Sequence, residues 1–246
     1  MSVLLLGPVI VESTQRRLVP QSRSMRGLLA MLALAEGQPV SPERLYRGVW
    51  GDKPSRSPIT NVQVAVHRLR RWLAECGADS VRLETIAGLY RLDCAGETDV
   101  RRFRDLTALS VRQNPAVRYC MLADALELWR GHALVDAPGP TATMAAVALE
   151  RELTQATTRC AQAALEIGDP ERALTIATAR ALVDPLDEGI HAILIDTLMA
   201  TGQQAAALQT FENMRRCLAT NFGVDPGEEL RQAHLRVLRH TRASTR

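Results

Sequence analysis

The feature that most narrows the fold is a change of periodicity near residue 95. Every run with strand character precedes it, and beyond it apolar residues recur only at helical spacing. The chain therefore reads as two domains, 1–95 and 96–246, joined around Ala95-Gly96-Glu97-Thr98. Charge changes at the same place. Residues 1–97 hold 13 basic and 9 acidic side chains, whereas residues 98–246 hold 17 and 18. A basic first part beside a nearly neutral second part suggests that the first part meets a polyanion.

The first part opens with two β-rich runs, Val3-Leu4-Leu5-Leu6 and Val9-Ile10-Val11-Glu12, broken by Gly7-Pro8, and a short third run at Arg17-Leu18-Val19-Pro20. A helix is predicted from about Met25 to Glu36, with Leu28, Leu29, Leu32 and Ala35 on one face and Gly37 as its stop. Ser41-Pro42-Glu43 places a cap, a first-turn proline and an acid at the start of a second helix, whose inward residues are Leu45, Val49 and Trp50. Ser57-Pro58 repeats that signal for a third helix running to about Glu75. The period-two runs Val81–Thr85 and Leu89–Leu92 flank Ile86-Ala87-Gly88 and predict a hairpin. Strands, three helices and a terminal hairpin form a winged helix-turn-helix.

The third helix is the informative element. Val62, Val66, Leu69 and Leu73 make one apolar stripe for the core. The opposite side carries Thr60, Asn61, Gln63, Val64, His67, Arg68 and Arg71. A helix fits the major groove, where glutamine pairs with adenine, arginine with guanine and an apolar side chain with the thymine methyl. Double-stranded DNA is the implied partner. A solvated arginine-bearing face is the plainer explanation of such a helix, but the hairpin that follows and the charge asymmetry both favour DNA.

The second part is all helix. Val100, Phe103, Leu106 and Leu109 form one stripe, and Met121, Leu122, Ala125, Leu128 and Trp129 another. Residues 135–143 read as a loop, and a long helix is predicted from about Met144 to Ile167. Gly168 and Gly202 are 34 residues apart, as are Ala173-Leu174 and Ala207-Leu208. That is the period of the tetratricopeptide helix pair. The fold expected is thus an α+β winged helix-turn-helix followed by an all-α tetratricopeptide-like domain.

Several classes are disfavoured. The longest uncharged apolar run, Gly27–Ala35, is far short of the roughly 20 residues of a bilayer span. Cys76, Cys94, Cys120, Cys160 and Cys217 form no CxxC pair, and the histidines are scattered, so neither metal site nor cofactor is expected. Free thiols fit a cytoplasmic protein. No GxxxxGK[ST], GxSxG or HExxH string occurs, so an enzyme is not expected.

The strings Val49-Trp-Gly-Asp and Val62-Gln-Val-Ala-Val-His-Arg-Leu-Arg-Arg, with Ser41-Pro-Glu-Arg-Leu and Gly88-Leu-Tyr-Arg-Leu, resemble the OmpR-type winged helix of Streptomyces antibiotic regulatory proteins. Ala125-Leu-Glu-Leu-Trp-Arg-Gly, Leu149-Glu-Arg-Glu-Leu and Phe222-Gly-Val-Asp-Pro-Gly-Glu-Glu-Leu are similar to that family's bacterial transcriptional activator domain. The resemblance spans about residues 3–240. It implies base-facing roles for Gln63, Val64 and Arg68, and backbone contacts at or beside Thr60, Asn61, His67, Arg70 and Arg71. It further implies an activator of secondary-metabolism genes that binds promoter direct repeats, associates with itself on DNA and recruits RNA polymerase through a sigma factor or another subunit. One departure bears on the wing. The family usually places a glycine before the wing tyrosine, where this chain has Leu89, and the turn lacks a basic residue. That puts minor-groove reading in question and leaves Arg82 and Arg91 as the wing's candidates for backbone contact. The alternative function is a protein-interaction adaptor with a degenerate winged helix.

Overall fold

The computed structural model describes residues 2–12, 16–77, 81–94 and 98–244, with side chains up to Arg239. Contacts divide the chain into two compact units, Met1–Asp105 with Glu127–Glu152, and Leu106–Leu126 with Leu153–Arg246. Compactness draws a different line from charge and periodicity, because residues 127–152 pack on the winged helix. The junction at 95–97 lies outside the described residues.

The first unit begins with an antiparallel sheet of β1 (Ser2–Leu4), β2 (Ile10–Glu12) and β3 (Arg17–Leu18), with Val3 opposite Val11 and Val11 opposite Leu18. Next come α1 (Arg23–Leu34), α2 (Pro42–Trp50) and α3 (Pro58–Glu75), then the hairpin of β4 (Val81–Ile86) and β5 (Leu89–Cys94). Helix α1 starts earlier than its apolar pattern suggests, because the Ser22 hydroxyl accepts from the Met25 N–H and caps it. Ser41 caps α2 as expected, accepting from Arg44 N–H. Ser57 holds the cap position of α3 without a side-chain bond. The core is aliphatic: Leu5, Leu6, Leu28, Leu29, Leu32, Leu45, Leu69 and Leu92 are all fully buried.

The rest of this unit comes from α4 (Asp99–Ser110) up to Asp105, the segment 127–139 and the start of α6 (Pro140–Glu166). The Asp99 carboxylate is buried and accepts from Leu5 N–H at 2.7 Å, Leu6 N–H at 3.0 Å and the Arg130 guanidinium at 3.0 Å. Burial pushes the Asp99 carboxyl above the usual carboxylate range, and its three donors act against that shift. Asp136 accepts from Val9 N–H at 2.8 Å and pairs with Arg26 at 3.1 Å. Gly139, at φ +100°, lies so close to α2 that a Cβ there would stand 2.1 Å from the Gly48 carbonyl oxygen. The loop expected over 135–143 therefore ends at 139. Pro140 is the first residue of α6, where a missing N–H costs nothing and a fixed φ helps.

The second unit holds α5 (Pro115–Glu127) up to Leu126, the rest of α6, and four more helices: α7 (Pro170–Val183), α8 (Glu188–Ala200), α9 (Gln204–Phe222) and α10 (Glu228–Ser244). The 34-residue repeat falls on the α7–α8 and α9–α10 pairs. Gly168 and Gly202 take left-handed φ of 81° and 75° ahead of each pair, and Ala173 and Ala207 are fully buried. Phe211 stacks on His234 with ring centres 3.9 Å apart. In α4, Val100 and Phe103 are buried but Leu109 is 60% exposed. Steps of three residues drift about 60° each around a helix, so the fourth member of that stripe faces away from the first. No described helix is long and apolar enough to cross a membrane, and no described cluster of three or more His, Cys, Asp or Glu could hold a metal.

Candidate nucleic-acid interface

Helix α3 is seated by its apolar side. Val62, Val66, Leu69 and Leu73 are buried as their spacing predicts, and Ala65 and Trp72 widen the seam. The opposite face is open. Thr60, Asn61, Gln63, Val64, His67, Arg68 and Arg71 are all exposed. Val64 is 45% exposed, an apolar group in water among polar neighbours. Arg68 has no hydrogen-bond or ion-pair partner among the described residues. Arg71 makes only a loose pair with Glu75, at 3.4 Å and exposed on both sides. Such a pair adds little stability and exchanges readily for another anion. Asn61 donates to the Ser55 hydroxyl at 3.0 Å, tying the helix start to the preceding turn.

Arg70 and Arg91 are differently placed. Arg70 is half-buried, and its guanidinium reaches the wing, donating to the Leu83 carbonyl and the Thr85 hydroxyl, each at 2.7 Å. Arg91 faces Glu84 across the hairpin and pairs with it at 2.7 Å. Both arginines, expected at the DNA backbone, thus have partners within the wing. The turn itself is Ala87-Gly88, with φ of 49° and 80°. Two successive left-handed residues give the turn whose twist suits a two-residue hairpin. Tyr90 is buried, and it exchanges backbone hydrogen bonds of 2.8 and 2.9 Å with Val40, anchoring the wing to the segment before α2.

Four further cations lie on α2 and in the turn that leads into α3. Arg44 and Arg47 are exposed on α2, and Lys53 and Arg56 are exposed in the turn that follows. None has an acidic partner among the described residues. Arg47 and Lys53 line one depression of about 550 Å³ at this turn, together with the acids Glu43 and Asp52. The Tyr46 hydroxyl holds the turn by donating to the Lys53 carbonyl at 2.8 Å. The sequence places Trp50 inward, but Tyr46 takes the buried position and Trp50 stacks over it, ring centres 5.4 Å apart. The spacing of Arg44 and Arg47, opposite Leu45 and Val49, was the available signal for this second basic strip.

Comparison with known proteins agrees with this architecture. Residues 98–238 match the bacterial transcriptional activator domain, and residues 16–92 match the C-terminal domain of transcriptional regulatory proteins. The chain belongs to the Streptomyces antibiotic regulatory protein family of transcriptional regulators. It is 31% identical to the regulatory protein AfsR of Streptomyces griseus, over 95% of this chain and 24% of AfsR. It thus spans about a quarter of the length of that relative. Identity to the regulatory protein DnrI of Streptomyces peucetius is 27%, over 97% of this chain and 92% of DnrI. Among solved structures, Mycobacterium tuberculosis EmbR, determined in complex with a low-affinity phosphopeptide, superposes with a TM-score of 0.88 at 25% identity. That match covers 97% of this chain and 65% of EmbR.

Proposed function

We propose that this chain activates transcription by docking α3 in the major groove of promoter DNA. In this reading Gln63, Val64 and Arg68 face the bases. Thr60, Asn61, His67 and Arg71 meet the backbone, joined by Arg44, Arg47, Lys53 and Arg56. The observation that carries it is the Arg68 guanidinium, unpartnered among the described residues and one turn along an open face from Gln63 and Val64. Free arginines supply most of the affinity for a duplex, because each phosphate neutralised releases a counterion. The targets are direct repeats upstream of secondary-metabolism genes, and neighbouring copies associate on them.

The helical unit is the region that engages RNA polymerase, through its sigma factor or another subunit. A groove of about 850 Å³ between α6, α8 and α10, lined by Gln155, Ile193, Asp196 and Gln232, offers room for a protein segment. An adaptor that only binds protein has no use for the cations around α3.

Gel shifts and footprinting on the promoters adjoining its own gene test the proposal. Arg68→Ala is expected to cost about 1–3 kcal/mol at the cognate site and little on random DNA. Arg71→Ala should weaken both alike and reduce the salt slope by about 0.9. Equal losses on cognate and random DNA for Arg68→Ala remove its base-reading role. A blank shift at low salt sinks the whole reading.

A further inference from the structure

Arg70 belongs to the same helix as Arg68 and Arg71, yet its surroundings differ from theirs. Its Nε and Nη2 both donate at 2.7 Å, to the Leu83 carbonyl and the Thr85 hydroxyl of β4. Its guanidinium carbon lies 5.9 Å from the centre of the Tyr90 ring on β5. Tyr90 is locked in turn to Val40 by two backbone hydrogen bonds. One side chain of α3 therefore touches both strands of the wing. To reach a phosphate it would have to break two charge-assisted bonds, each stronger than a neutral one.

We infer that Arg70 is a positioning residue, setting where the wing stands against α3, and is not a phosphate contact. The wing needs such a brace because Ile86, Ala87 and Gly88 at its tip carry no charge. The tip can bear on DNA only through where its backbone is held. Lysine cannot replace arginine here. It keeps the charge but lacks the planar fork that serves two acceptors at once.

The inference rests on the DNA-binding proposal for its affinity readout and stands apart from it for its exchange readout. The full chain is compared with Arg70→Lys, Arg70→Ala and Thr85→Val. In the free protein, amide hydrogen exchange in β4 and β5 should quicken severalfold in both Arg70 variants and less in Thr85→Val. On the operator footprinted with wild type, both Arg70 variants should lose about tenfold in affinity, together with protection on the wing flank. Their salt slopes should match wild type. Arg70→Lys at wild-type affinity beside a weakened Arg70→Ala with a shallower slope would make Arg70 a phosphate contact and overturn the inference. So would unchanged exchange in all three variants. A wild type that binds no operator defeats the DNA reading instead, while the exchange data still decide the brace. Should Arg70→Ala fail to fold, Arg70→Lys and Thr85→Val carry the test.

Discussion

Gly139→Ala asks whether residues 127–152 are a structural part of the winged-helix unit. Gly139 has φ +100°, which an alanine adopts only under strain of about 1–3 kcal/mol. Its new Cβ would meet the Gly48 carbonyl oxygen at 2.1 Å, the Val49 carbonyl oxygen at 2.6 Å and Val49 Cα at 2.7 Å. All three are backbone atoms of α2, so no side chain can swing aside. Relief requires lifting the 138–141 segment off α2, with overpacking costs of about 1–3 kcal/mol. Together these come to about 2–6 kcal/mol. Gly131→Ala is the control. Its φ is +134° and a Cβ there meets nothing within 4 Å, so it bears only the backbone strain. Trp50, Trp72 and Trp129 all lie in the first unit, and the chain has three tryptophans, so fluorescence excited selectively at tryptophan reports this unit alone. Urea unfolding of the full chain should show Gly139→Ala destabilised beyond Gly131→Ala by about 1–3 kcal/mol. Coincident unfolding curves for the two variants would refute the tight apposition.

Asp99→Asn should cost about 2–4 kcal/mol by the same fluorescence assay, since an amide loses the Arg130 ion pair and turns an NH2 toward one of the Leu5 and Leu6 donors; a loss under about 0.5 kcal/mol would contradict the buried arrangement. Burial holds the His234 imidazole below its usual range, with Glu212 acting the other way. The folded state therefore favours the neutral ring, and stability of the helical unit should fall as pH drops below about 6.5. His234→Phe keeps the stack on Phe211 and should flatten that dependence in urea melts followed by helical circular dichroism; an unaltered slope points elsewhere. Burial, aided by Asp93, pushes the Cys94 thiol up to about 11, and burial with Cys120 nearby does the same for Cys160. Their thiolates form only as pH nears that value, so at pH 8 iodoacetamide should modify exposed Cys120 well before either, and equal rates by mass spectrometry would contradict this.

Local order was legible in the sequence and distant pairing was not. The seam of α3 follows from the spacing of Val62, Val66, Leu69 and Leu73, because a helix puts such positions on one side whatever surrounds it. The register of the wing follows from period two, and the tandem helix pairs from glycines and alanines 34 residues apart. What escaped depends on partners far along the chain. Asp99 meets Leu5 and Leu6 across 94 and 93 positions, and Asp136 meets Val9 across 127. No periodicity encodes those meetings, and so the contribution of residues 127–152 to the first unit was hidden. Tyr46 is buried and Trp50, expected inward, is only half-buried, for a related reason. The tyrosine can go inside because its hydroxyl finds the Lys53 carbonyl, an acceptor supplied by the turn and not by the helix.

The same distinction separates the arginines around α3 from many of the chain's others. Arg71–Glu75 and Arg101–Asp105 are pairs at a spacing of four, visible in the sequence. Arg26–Asp136, Arg104–Glu152, Arg118–Glu166 and Arg236–Asp196 are not, since 40 or more residues separate the partners. Arginine-rich composition alone thus says little about where positive charge is available. Arg44, Arg47, Arg56 and Arg68, with Lys53, form no ion pair among the described residues, and neither do Arg23, Arg102, Arg112, Arg151, Arg159 and Arg239; what sets the first five apart is their place on α2, the turn and α3. Folding pairs many of the other arginines with acids and leaves these five cations without an ion-pair partner among the described residues. Glu43 and Asp52 line the same depression as Arg47 and Lys53, so the mutual repulsion of these cations is eased only in part. A polyanion relieves what repulsion remains, so in the proposed docking this cluster adds sequence-independent affinity to what Arg68 contributes.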